Sequence, residues 1–319
     1  MALPGEEERS KRVREQLEYD FKPILPFLTD KNVIEILLNP DGTIWADYLG
    51  EGKRRVGTMN STSAAAAIGR VGAAFNTEVT TKSPIVECEF PLDGSRFEAV
   101  VPPLVSAPVF SIRKKAIKIF TLADYVQQKI INEKQAEIIR AAVKNHENIL
   151  VVGGTSSGKT TLTNAILQEM VDQFPYERFV ILEDTSELQC AAENTVPLHA
   201  VDGVDMTRLL KVTMRLAPDR IVVGEVRDGA ALALLKAWNT GHPGGIATVH
   251  ANNAAAGLTR IQQLVSEANT APMQPLIAEA INVVLFLKKT KTGRRLQEIR
   301  RVTGYDQPAG KYLTTGEDE

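Results

Sequence analysis

The chain has 319 residues, enough for about two domains of ordinary size, and its 44% hydrophobic and 24% charged residues supply a sizeable core. A formal net charge of −2 gives no general drive toward nucleic acid or anionic lipid. No apolar run approaches the roughly 18 residues of a membrane span.

The first residues, Ala2 to Arg14, are charged and lack an apolar signal core, so export is not expected and the cytoplasm is the expected compartment. Residues 5–22 read as a charged helix in which Val13, Leu17 and Phe21 share a face, continued by Ile24, Leu25 and Leu28. Pro23 and Pro26 should end or kink it. Packing on its own domain is the expected use of that face, and docking to a partner or a membrane surface is the alternative.

Two strands follow, Val33–Leu38 and Thr43–Tyr48, around the turn Asn39-Pro40-Asp41-Gly42. Residues 61–75 are alanine-rich and helical. Ile85–Phe90 and Arg96–Val101 flank a second turn, and Val109–Arg113 is a further short strand. Residues 1–113 are therefore expected to form a small α+β domain with a largely antiparallel sheet. Residues 114–120 read as the linker out of it.

From residue 121 to 319 the pattern changes to alternating strands and helices, which means a mostly parallel sheet with crossover helices. Helices are expected at 122–129, 133–145, 205–215, 229–239 and 254–266. Strands are expected at 148–152, 179–183, 220–224 and 245–249. Ile281–Leu287 and Leu296–Val302 are expected as added edge strands, and the polar tail from Gly304 as frayed.

The most specific stretch in that second half is Gly153-Gly154-Thr155-Ser156-Ser157-Gly158-Lys159-Thr160-Thr161, a glycine, four residues and then Gly-Lys-Thr. An apolar, β-branched strand precedes it and an apolar-faced helix follows, which is the context a P-loop requires. The glycines let the backbone turn tightly and approach an anion. The loop N–H groups and the helix N-terminus then face phosphate oxygens. Lys159 is expected to reach the β- and γ-phosphates, and Thr160 to offer its hydroxyl to Mg²⁺. A glycine- and serine-rich turn without a ligand is the bland alternative, and the strand–loop–helix context argues against it.

Three later stretches end predicted strands in polar groups, where open α/β sheets bind ligands. Arg178–Glu187 runs from an apolar strand into Glu183, Asp184 and Glu187. Glu183 is suited to orient a water or to balance Mg²⁺. In Leu216–Arg227, Ile221–Val223 is a buried strand and Glu225 emerges at its end. Gly224 stands where an aspartate usually serves Mg²⁺, so Glu225 is expected to be the base and a metal residue beside Thr160, alone or shared with Glu183. In Thr240–Asn252, His250 follows a strand and is expected near the γ-phosphate, as a donor to it or to the attacking water.

These boxes, in this order, resemble those of the ATPases of type IV secretion systems and type IV pili. The resemblance covers roughly residues 30–290, is most specific over 148–252, and points to the conjugation and type IV secretion branch. It implies a RecA-like P-loop domain, ATP and Mg²⁺ as ligands, and a homo-hexameric ring. It also implies other secretion-system proteins at the inner membrane as partners, with peripheral membrane contact as an option. In that family, arginines of the N-terminal domain reach the phosphates, and Arg96 and Arg113 match those positions. The pilus branch often carries a four-cysteine zinc element, which Cys88 and Cys190 cannot build. These two are expected as buried, reduced thiols. The expected function is thus a ring motor that hydrolyses ATP to drive conjugative transfer. A pilus assembly or retraction motor and a RecA-like nucleic-acid translocase are the alternatives. The absence of a basic, aromatic-interleaved groove speaks against the second.

Overall fold

The computed structural model describes residues 4–49, 51–75, 77–114, 119–201, 203–290 and 293–316, with side chains from residue 11 onward. The chain divides into two compact units, Met1–Ile117 and Lys118–Glu319. Residues 115–118, the middle of the expected linker, lie outside the described residues. Lys114, expected to open that linker, is tied to the first unit, because its Nζ donates to the carbonyls of Phe27 and Asp30.

The first unit opens with α1 (Pro4–Asp20) and α2 (Leu25–Thr29). The strands are β1 (Val33–Leu38), β2 (Thr43–Tyr48) and β3 (Gly52–Thr58), then, after α3 (Ser61–Ala74), β4 (Ile85–Glu89), β5 (Arg96–Val100) and β6 (Val109–Arg113). They form one antiparallel sheet in the order β3-β2-β1-β6-β5-β4. Leu17, Phe21 and Ile24 are buried with the sheet's inner face, and the Phe21 ring packs edge-on against Phe90, Phe97 and Phe110. The apolar side of α1 is therefore filled by its own unit. Val13, expected on that same face, is 38% exposed. α3 starts on an Asn60 cap, whose side chain accepts from Ser63 N–H.

The second unit begins with α4 (Leu122–Gln127) and α5 (Glu133–Lys144). Both start on capping boxes, Thr121 with Asp124 and Asn132 with Gln135, which satisfy N–H groups that a helix start leaves free. β7 (Ile149–Val152), α6 (Lys159–Gln173), β8 (Phe179–Glu183), β9 (Thr195–His199), α7 (Met206–Thr213), β10 (Arg220–Val223), α8 (Ala230–Asn239) and β11 (Ile246–Val249) follow. α9 (Ala254–Ala268), α10 (Gln274–Ala280), β12 (Val283–Thr290), β13 (Gly293–Asp306) and β14 (Lys311–Gly316) complete the unit.

The eight strands run β14-β13-β12-β7-β11-β10-β8-β9. From β12 to β9 every pair is parallel, while β12–β13 and β13–β14 are antiparallel. Alternate residues of the central strands face opposite layers, as the pleat requires. Leu150, Val152, Ile221, Val223, Ala247 and Val249 pack with α7–α10. Ile149, Val151, Val222 and Ile246 pack with α4, α5 and α6. The sheet is thus covered on both faces, which is how near-continuous apolar strands become buried.

Two expectations about the end of the chain are corrected. β12 is not an edge strand, because it lies between β7 and β13. The tail is not frayed up to Gly316: β13 runs to Asp306 and β14 pairs with it, the rings of Tyr305 and Tyr312 lying 5.1 Å apart. The cysteines differ too. Both are half-buried rather than buried, Cys88 because its strand β4 is a sheet edge. Burial still pushes the Cys88 thiol up to about 12.

At the end of the sheet where the parallel strands start, Arg220 is 0% exposed. Its Nε lies 2.5 Å from Glu177 Oε2, and its other nitrogens donate to the carbonyls of Gly244 and Val143. The guanidinium also lies over the Phe174 ring. His146 Nε2 stands 2.6 Å from the second oxygen of Glu177. The charge inside is thus paired and hydrogen-bonded, the condition for keeping an ion there.

Candidate nucleotide-binding site

The carboxyl ends of β7, β8, β10 and β11 lie at one end of the sheet, and the motif residues gather there. Gly158 caps α6 with φ 98°, a left-handed conformation that favours glycine. A Cβ on Gly153 would lie 2.5 Å from both the Leu287 carbonyl oxygen and Ser157 Oγ, so only glycine fits. A Cβ on Gly154 would meet nothing within 4 Å, so no protein neighbour demands glycine at that position. Ser156 adopts φ 57°, which turns the loop toward α6.

Lys159 is only 7% exposed. Its Nζ donates to the carbonyls of Gly153 (3.1 Å) and Gly154 (3.3 Å) and stands 3.3 Å from each ring nitrogen of His250. His250 Nε2 is 2.9 Å from Glu225 Oε1. The other Glu225 oxygen takes a 2.8 Å hydrogen bond from Arg227, which also pairs with Asp184 at 3.2 Å. A continuous polar chain therefore runs from the P-loop across the ends of β11 and β10 to that of β8.

The charges in this chain follow from their neighbours. Burial pushes the Glu225 carboxyl up, but the Arg227 hydrogen bond and charge, with His250 and Lys159, outweigh it, so its pKa falls below the usual carboxylate value. Burial and the Lys159 charge push His250 below the usual imidazole value, against the pull of Glu225. At neutral pH the His250–Glu225 contact is thus a hydrogen bond from a neutral ring, not an ion pair.

Glu183 is 4% exposed, and its Oε1 accepts from the N–H groups of Glu187 (3.0 Å) and Leu188 (2.8 Å). A Cβ on Gly224 would lie 3.0 Å from Glu183 Cγ and 3.2 Å from Oε1. The Glu183 side chain, from the adjacent strand, fills the space an aspartate at 224 would need. By folding the loop after β8, Glu183 brings Glu187 to the P-loop, where Thr160 Oγ1 lies 3.2 Å from Glu187 Oε2. Asn164 of α6 holds the same loop through the Glu187 carbonyl and the Gln189 N–H.

Among the described residues no three His, Cys, Asp or Glu side chains form a ready-made metal cage. A threonine hydroxyl beside a carboxylate nevertheless suits Mg²⁺, which takes few protein ligands and keeps waters and phosphate oxygens. Ser157 adds a buried hydroxyl, packed against Gly153, with no hydrogen-bond partner among the described residues. Thr155 and Ser156 form the loop's turn, and Thr161 lies in the first turn of α6.

Arg96 and Arg113 belong to the first unit. Arg96 opens β5 and Arg113 closes β6, and the register sets them directly opposite each other, with Glu89 beyond Arg96 and Glu35 beyond Arg113.

The family described as Type II/IV secretion system protein matches residues 19–301. The chain belongs to this family. It is a secretion ATPase, and relatives agree with that assignment. A conjugal transfer protein TrbB of Rhizobium radiobacter is 51% identical over 278 residues, 87% of this chain and 86% of the relative. A probable conjugal transfer protein TrbB of Sinorhizobium fredii is 52% identical over 285 residues, 89% of this chain and 87% of the relative. The X-ray structure of the Legionella pneumophila ATPase DotB is similar with a TM-score of 0.62 at 20% identity, covering 89% of this chain and 80% of that one. That likeness concerns the fold.

For this secretion ATPase, sequence reasoning named Lys159, His250 and Glu225, and the fold brings them into contact. Glu225, expected as base and metal residue, is engaged by His250 and Arg227, and the carboxylate beside Thr160 is that of Glu187. Glu187 was visible as the last acid of the run after β8. Arg227 was visible two residues past Glu225. Neither position by itself indicated its partner. No helix among the described residues is long and apolar enough to cross a membrane.

Proposed function

We propose that this protein is a Mg²⁺-dependent ATPase that works as a homo-hexameric ring and drives conjugative transfer through a type IV secretion system. It acts with other secretion-system proteins at the cytoplasmic face of the inner membrane. The observation that carries this reading is the hydrogen-bonded chain from Lys159 through His250 to Glu225. It links the phosphate-binding loop to a carboxylate kept ionised by its neighbours, which is what orienting a water for attack on a γ-phosphate requires. Glu225 is the base in this reading. His250 donates to it and senses the terminal phosphate through Lys159. Thr160 and Glu187 hold Mg²⁺, which when bound neutralises charge on the β- and γ-phosphates. Arg96 and Arg113 supply positive charge to the phosphates.

The test is oligomer mass by light scattering with and without ATP and Mg²⁺, beside phosphate release. A mass near six chains with turnover supports the ring, and Lys159→Ala then abolishes turnover. A monomer that hydrolyses ATP at full rate refutes the ring. Salt-sensitive binding to single-stranded DNA with DNA-stimulated turnover would replace it by a translocase.

A further inference from the structure

The hairpin of β12 and β13 lies beside the P-loop, and its register explains why. Leu287 stands opposite Leu296, and both are buried in the layer that contains Leu162, Ala165 and Ile166 of α6. The next row on that face is Lys289 opposite Arg294. β12 runs parallel to β7, so this row lies at the end of the sheet where β7 opens into the loop. Arg294 accordingly reaches Gly158, where a Cβ would lie 2.9 Å from its Cδ and 3.1 Å from its Nε. Two cations directly opposite repel one another, and here they do so at the N-terminus of α6, which itself attracts anions.

Sheet order fixes which part of a nucleotide this row meets. Glu183, Glu225 and His250 come from β8, β10 and β11, all on one side of β7, whereas β12 and β13 are on the other. A nucleotide on the loop with its γ-phosphate toward the acids must run its α-phosphate and nucleoside toward β12 and β13. We propose that Arg294 binds the α-phosphate end of the nucleotide, the part that ATP and ADP share. This rests on the nucleotide-binding reading above. The guanidinium's planar fork suits a phosphate, and its packing against Gly158 holds it there.

The experiment is titration of the full chain with ADP and with an ATP analogue whose β–γ bridge resists hydrolysis, for wild type, Arg294→Ala, Arg294→Gln and Arg295→Ala. Arg295 lies in the adjacent row opposite Lys288, on the other face. Arg294→Ala is expected to raise both Kd values by the same factor, about tenfold, the loss of one charge-assisted hydrogen bond. The KM for ATP should rise with them. Arg294→Gln keeps most of the side-chain length but not the charge and should raise both Kd values alike, whereas wild-type affinity in Arg294→Gln would mean that truncation disturbs the hairpin and would overturn the proposal. Arg295→Ala should leave both Kd values as they are. Unchanged ADP affinity in both Arg294 variants overturns the proposal, as does weakening of the analogue alone, which would mean a contact at the γ-phosphate. Equal weakening by Arg295→Ala also overturns it, by showing a diffuse field. A wild-type chain that binds neither nucleotide removes the nucleotide-binding reading itself.

Discussion

Lys159 Nζ stands 3.3 Å from both ring nitrogens of His250, so the P-loop cation and the strand-end imidazole share one pocket. A positive charge that close favours the neutral ring, and burial acts in the same direction. His250 therefore has a folded-state pKa below its unfolded value of about 6.5. Below that unfolded value the unfolded chain binds more protons than the folded one. The stabilisation from keeping the ring neutral is present above about pH 6.5 and is lost as pH falls through the folded pKa. Urea midpoints at pH 7.5 and 5.5 check this. His250→Gln should lose less stability between the two than the wild type, and an equal loss would contradict the linkage.

Glu225→Gln keeps the size of the side chain and should bind ATP while turnover falls by about 10²-fold or more, the usual contribution of a positioned base. Phosphate release beside nucleotide titration separates the two effects. Normal turnover would shift the base to Glu183.

Glu187→Gln addresses the other side of the loop. Its carboxylate lies 3.2 Å from the Thr160 hydroxyl. The Mg²⁺ concentration for half-maximal turnover should rise about tenfold, the lower range for losing a supporting metal-site group. ADP affinity measured in EDTA should stay as in wild type. Loss of metal-free ADP binding would instead mean that the substitution disturbs the loop.

Arg220→Ala tests the opposite end of the sheet. Removing the guanidinium leaves Glu177 without its buried partner, and breaking such a pair costs about 3–5 kcal/mol. Urea unfolding followed by tryptophan fluorescence is a suitable readout, because Trp238 packs in the core of the second unit. A loss below 1 kcal/mol would mean that water or His146 compensates.

Much of the fold was legible because its strands are short, apolar and fully buried. β7, β8, β10 and β11 carry their pattern within themselves. What escaped depends on partners. β3 (GKRRVGT) and β14 (KYLTTG) are polar and become strands by pairing at an edge, β3 with β2 and β14 with β13. β9 includes Pro197, which an edge position tolerates. The site divides the same way. Lys159, Glu225 and His250 announce themselves by following strands. Glu187 depends on how Glu183 folds the loop, and Arg294 on a hairpin register more than a hundred positions from the P-loop in sequence.

The exchange between Glu183 and Gly224 has a bearing on how relatives are aligned. These residues follow the paired positions Leu182 and Val223 on neighbouring strands, and one carboxylate serves the space between them. Scoring column 224 by itself would record a missing acid. Scoring the two columns together would record one acid and one vacant Cβ in this chain. A relative with aspartate at 224 should therefore carry a small residue at 183. The double exchange Glu183→Gly with Gly224→Asp should cost less than the sum of its single steps.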